Sequence, residues 1–150
     1  NFRPTEIQGA FGIHQLPRLE GFIAHRRSCA DYLNKALRKY EDWLALPEER
    51  PGIRHAWFAY PVLVKPGAPF TRKELQGFLE GKGVECRQIE AGNMAIQPAM
   101  RHIKHRISGS LTNAEYIHMN GFFFGMHQGI GEAEREAIVS YFDEWMRRYA

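Results

Sequence analysis

The sequence predicts an α+β domain: long N-terminal helices, then helices packed on a short, mainly antiparallel sheet. Three observations predict it. Apolar residues recur at three- and four-residue steps through 1–42 and again through 131–150. Three short runs rich in aromatic or β-branched residues stand at 55–64, 84–90 and 122–126. Helical segments with capping residues separate those runs, which sets the order helix, strand, helix, strand, helix, strand, helix.

Each element follows from its residues. In "RPTEIQGAFG", Thr5 and Gln8 have the spacing of a capping box, where hydroxyl and amide each satisfy an orphan backbone N–H. Ile7, Ala10 and Phe11 share a face, and the small residues Gly9, Ala10 and Gly12 suit a packing interface. Pro17 breaks this helix or opens a second one as its first residue. Leu19, Phe22, Ile23, Ala30, Leu33, Leu37 and Tyr40 form one stripe, with Arg26, Arg27 and Lys35 opposite. The region 46–52 is a loop with two prolines and a glycine, and 55–64 is a strand in which Pro61 marks an edge or a bulge. After the turn "KPGAP", the helix at 71–83 is capped by Thr71 and stopped by Gly83. "VECRQIE" is the second strand, Thr112 caps a helix at 112–121, and "FFFGM" is the third strand. The closing helix carries acids at its start and Arg147 and Arg148 near its end, as the helix dipole favours. The whole is one domain, 1–150, with a helical connection at 1–42 and an α/β sandwich at 43–150.

Composition narrows the function. A 150-residue chain with 44% hydrophobic residues buries a core rather than staying disordered. No apolar run reaches the roughly 20 residues that span a bilayer, and "NFRPTEIQGA" has no signal-peptide core, so no membrane partner is expected. The chain does not begin with methionine, which suggests a piece of something longer. Cys29 and Cys86 form no CxxC pair, which argues against a disulfide scaffold or zinc site and for a cytoplasmic setting. The net charge of +3 is mildly basic. "RHIKHR" (101–106) is a short basic run, and His102 and His105 within it lack a third metal ligand. No nucleic-acid partner is expected; a stand-alone basic nucleic-acid module without catalysis is the alternative reading.

The chemistry concentrates in "VECRQIEAGNMAIQPAM" (84–100). Arg87 lies on the strand that leads to Gly92; Gly92 permits close approach or positive φ, and Asn93 and Gln97 add amides. A guanidinium with two amides suits a phosphate or a hydroxylated sugar. The same residues also read as a tight turn capped by Asn93. Asn1, Phe2 and Arg3 are a helix lead-in that could meet an anion. Cys86 beside Arg87 reads as a buried structural thiol, and His118, Met119 and Met126 as packing residues. No P-loop, GxGxxG or Ser-His-Asp order is present.

Three stretches together resemble the DegT/DnrJ/EryC1/StrS family. "NFRPTEIQGAFGIHQLPRLEGFIAHRR" is similar to the segment by which that family enters its C-terminal part: an Asn-aromatic-Arg opening, a small-residue helix, Gln-Leu, then a basic amphipathic helix. "CRQIEAGNMAIQPAM" resembles the Arg-x-x-x-Ala-Gly-Asn-x-x-x-Gln-Pro-Ala stretch of the branch that includes the sugar 3-dehydratases, and "NAEYIHMNGFFFGMHQGIGEAE" resembles the closing strand and helix. Glu90 is more polar than the family pattern, and Met126 stands where a polar residue is expected.

The resemblance implies a fold type I, pyridoxal-phosphate-dependent enzyme that aminates or dehydrates nucleotide-linked keto sugars in lipopolysaccharide or deoxysugar biosynthesis. This chain would be its C-terminal small domain. The aldimine lysine (histidine in the 3-dehydratases) would lie in a missing N-terminal large domain, so the chain alone is expected to be inactive. The resemblance further implies a homodimer in which Asn1 reaches the cofactor phosphate of the partner subunit. Arg87, Gly92, Asn93 and Gln97 would then face the nucleotide sugar.

Overall fold

The computed structural model describes residues 3–149; Asn1, with its predicted cofactor contact, lies outside them. Helix α1 (Glu6–Gln15) begins where the Thr5 N–H donates to Gln8 Oε1 at 2.8 Å, the return bond of the predicted box. Pro17 has no N–H to give, and the chain tightens into a 3-10 turn at Leu16–Arg18 before α2 (Leu19–Leu37) resumes. The stripe on α2 buries Cys29, Ala30, Leu33 and Leu37.

Strand β1 (Leu44–Ala45) is an addition to the predicted order; two residues are too few to show an alternation. Strand β2 (Ala59–Val64) buries Tyr60, Val62 and Val64 on one face. It is shorter than predicted because its first four residues are held otherwise. The Trp57 N–H donates to His55 Nδ1 at 2.9 Å, Arg27 Nη1 donates to the His55 carbonyl at 3.0 Å, and Trp57 sits at φ 47°. Backbone groups that a strand would pair are taken by side chains instead.

Helix α3 (Arg72–Gly81) carries the complete capping box: Glu74 N–H donates to Thr71 Oγ1, and Thr71 N–H to Glu74 Oε2 at 2.7 Å. Strand β3 (Cys86–Gln88) is followed by 3-10 turns at Met94–Ile96 and Pro98–His102, helix α4 (Thr112–Asn120), strand β4 (Gly121–Gly125) and helix α5 (Glu132–Met146). Thr112 is not the cap of α4. Leu111 holds that position, and Thr112 is already helical, its N–H received by the Ser110 hydroxyl at 3.3 Å.

The sheet order is β1-β2-β4-β3, antiparallel throughout. Pro61 lies within β2 opposite Phe123. Strand β1 reaches only Leu63 and Val64, so the flank of β2 at Pro61 is open and its missing N–H costs no ladder bond there. One face of the sheet, with Tyr60, Val62, Phe122 and Phe124, packs on Leu33 and Leu37 of α2, Leu75 and Leu79 of α3, and Ile138 and Phe142 of α5. Tyr60 donates its buried hydroxyl to Asn34 Oδ1 at 2.7 Å, which satisfies the one polar atom that this ring brings into the core. Cys29 and Cys86 are free and buried, and burial pushes the Cys86 thiol up to about 12. No described helix is long and apolar enough to cross a membrane.

Candidate functional site: the Gly92 loop

Strand β3 ends at Gln88, and the chain turns back at once, with the Gly92 N–H donating to the Ile89 carbonyl at 2.9 Å. Two left-handed residues make this turn, Glu90 at φ 45° and Gly92 at φ 62°. A glutamate in that region is uncommon and a glycine is the default. At Gly92 space decides as well as φ. A Cβ there would lie 2.1 Å from His118 Nδ1 and 3.1 Å from Gln88 Nε2. No side chain larger than hydrogen fits without moving the imidazole.

That imidazole organises the loop. His118 Nδ1 receives Gln88 Nε2 at 2.9 Å and the Asn93 backbone N–H at 3.3 Å. Gln88 Nε2 also donates to the His118 carbonyl at 3.0 Å, so both amide hydrogens serve one residue. Asn93 is 5% exposed, the only buried polar residue among those described, and its Oδ1 accepts the Ala95 N–H at 3.1 Å to cap the following turn. Gln97 spans the loop and donates to the Ala91 carbonyl at 2.6 Å.

Gly92, Asn93 and Gln97 are therefore one hydrogen-bonded unit. Arg87 stands apart from it. Its register partner is Phe123, and its guanidinium donates to Glu85 Oε1 through Nε at 2.9 Å and Nη2 at 2.6 Å. It lines a cavity of about 550 Å3 with Phe58, Lys82, Phe123, His127 and Tyr141, beside the β3 edge. Gln88 is the residue that sequence reasoning passes over, and His118, expected to be a packing residue, is instead a half-buried hydrogen-bond acceptor. The parity of Gln88 with buried Cys86 is a hint that its amide needs a partner. His118 carries no local signal, because its partners lie on another element. Met126 packs in the core as expected, whereas Met119 is 60% exposed. The basic run 101–106 is exposed throughout.

Pyridoxal phosphate chemistry runs through a lysine amine. Lys82 is the one lysine on the cavity wall. Its Nζ is paired with Glu144 at 2.8 Å and lies over the rings of Phe78 and Tyr141.

The profile of the DegT/DnrJ/EryC1/StrS aminotransferase family matches residues 1–143. The lipopolysaccharide biosynthesis protein RfbH of Salmonella typhimurium is 32% identical over 145 residues, 97% of this chain and 33% of that protein. GDP-4-keto-6-deoxy-D-mannose 3-dehydratase of Escherichia coli O55:H7 is 35% identical over 85% of this chain and 32% of its own length. A crystal structure of GDP-4-keto-6-deoxymannose-3-dehydratase with a trapped PLP-glutamate geminal diamine superposes with a TM-score of 0.80 at 32% identity, over 93% of this chain and 36% of that one. The chain thus spans about a third of the length of these relatives.

Proposed function

This chain belongs to the DegT/DnrJ/EryC1/StrS aminotransferase family, and on that premise we propose that it is the C-terminal small domain of a pyridoxal-phosphate-dependent enzyme acting on nucleotide-linked keto sugars. The observation that carries the proposal is the Gly92 loop, a turn built on left-handed Glu90 and Gly92 and tied to His118 through the Asn93 N–H. Pre-set loops present polar groups to a sugar without an ordering cost at binding. In this reading Arg87, Gly92, Asn93 and Gln97 form the chain's contribution to the nucleotide-sugar side. The lysine or histidine that reacts with the cofactor belongs to an N-terminal large domain outside this chain. Asn1 reaches the cofactor phosphate across a homodimer, and the enzyme works in the cytoplasm. Removal of the C3 hydroxyl is preferred over amino transfer, because relatives at 32–35% identity include the 3-dehydratase named above. Lipopolysaccharide sugar synthesis is the setting that the likeness to RfbH supports.

Pyridoxal phosphate added to the purified chain, then borohydride and intact-mass measurement, tests the division of labour. No covalent adduct is the expected result. A single adduct at one lysine, or turnover of a GDP-linked keto sugar with glutamate, would sink the proposal. In the parent enzyme, Arg87→Ala is expected to raise KM for the nucleotide sugar about tenfold, the size of a lost charge-assisted bond, with the cofactor spectrum unchanged.

A further inference from the structure

We infer that His118 is the positioning residue of the Gly92 loop: its imidazole fills the space where a side chain of Gly92 would lie, and its Nδ1 lone pair sets the backbone at Asn93. The consequence for substrate rests on the function proposed above; the positioning itself does not.

Three facts converge. First, the imidazole and the glycine are complementary in shape, since a Cβ on Gly92 would sit 2.1 Å from Nδ1. Second, the Asn93 N–H reaches Nδ1 at 3.3 Å, and a backbone N–H can only donate. Nδ1 must therefore be the acceptor, which places the ring proton of the neutral tautomer on Nε2. Third, Gln88 donates to both Nδ1 and the carbonyl of His118, so the ring is held from the strand side. An amide can be flipped to suit a network, whereas the Asn93 N–H cannot, so the backbone bond decides the tautomer. The arrangement ties α4 to the end of β3 and leaves the Ala91–Asn93 backbone one conformation. His118 acts through the loop and needs no contact with any ligand.

Nitrogen-15 spectra of histidine-labelled protein test this directly. His118 should show an unprotonated Nδ1 and a protonated Nε2; the opposite tautomer would overturn the inference. His118→Leu should speed hydrogen exchange of the Asn93 amide about tenfold, the equivalent of one hydrogen bond. His118→Asn should restore slow exchange, because its Oδ1 stands near the place of Nδ1 and accepts. Equal exchange in all three proteins would overturn the inference. A double-mutant cycle adds a second readout: the cost of Gly92→Ala should shrink when His118 is also Ala, and additivity would count against the pairing. If His118→Leu fails to fold, the tautomer of the unaltered protein still decides. None of these readouts uses a sugar nucleotide. A covalent cofactor adduct on this chain refutes the proposed function and leaves His118 standing, and the reverse holds for a wrong tautomer.

Discussion

Helices α1 and α5 are both amphipathic, and the molecule treats them oppositely. In α5, Ile138, Phe142, Trp145 and Met146 are buried against the sheet and α2. In α1 no residue is buried, and Ile7, Phe11 and Ile13 are each 67–72% exposed. The small residues Gly9, Ala10 and Gly12, read in the sequence as a packing face, are uncovered too. An apolar stripe is a statement about what an element needs, not about where the partner resides. For α5 the partner is in this chain. For α1, on the function proposed here, it is the large domain, and the exposed stripe marks where that domain would rest.

Cutting the same side chain from each helix breaks the comparison most sharply. Phe142→Ala is expected to cost about 3–5 kcal/mol, because it empties a ring contact with Phe124 in the closed core. Phe11→Ala should change the stability of this chain by less than about 0.5 kcal/mol. Urea unfolding of both variants checks the pair; a large loss at Phe11 would mean that α1 is covered in solution. Gly92→Ala comes next, at about 2–4 kcal/mol from a left-handed backbone plus the imidazole clash, read by thermal unfolding.

Caps sharpen the comparison further. Thr71→Ala should cost about 1 kcal/mol of global stability, since α3 is packed into the fold. Thr5→Ala should leave global stability unchanged and register only as faster amide exchange within α1. A pH-dependent effect lies between α2 and the loop before β2, where Arg27 of α2 holds Glu49, and Glu49 accepts the His55 N–H. Hydrogen bonding from Arg27 first, then from His55, holds the Glu49 carboxyl at about 2, below its ordinary 4.5. A depressed folded value stabilises fully above pH 4.5 and is lost as pH falls toward 2. The stability gap between the protein and Glu49→Gln should therefore narrow across that window, and a constant gap would show that the pair does nothing.

Much of this fold is legible in the residues. Periodicity finds α2 and α5, the Thr71 cap and the Gly83 stop find α3, and aromatic and β-branched content finds β2, because each signal lies within one element. What escapes is non-local. Strand β1 exists only because Val64 is there to pair with it. Trp57 leaves the strand because Arg27 and His55 recruit the backbone around it. In the candidate site, Gly92 and Asn93 announce themselves by type. The reason only glycine fits comes from His118, an element away in the sequence, and nothing local marks it.

The sheet order also sets a sequence of events. Strand β2 pairs with β4, so Ala59 meets Gly125 and everything from α3 to α4 is enclosed in one long chain loop. Closing so large a loop costs conformational entropy before any contact returns it. Gln88, Gly92 and His118 all belong to the enclosed segment, and β3 can dock only on a β4 already in place. The Gly92 loop should thus be among the last parts to order during refolding, with transition-state φ-values near zero, while β2 and β4 carry the high ones. Substitutions in the loop would then hasten unfolding and leave the refolding rate nearly untouched, so this corner can vary without slowing the birth of the fold.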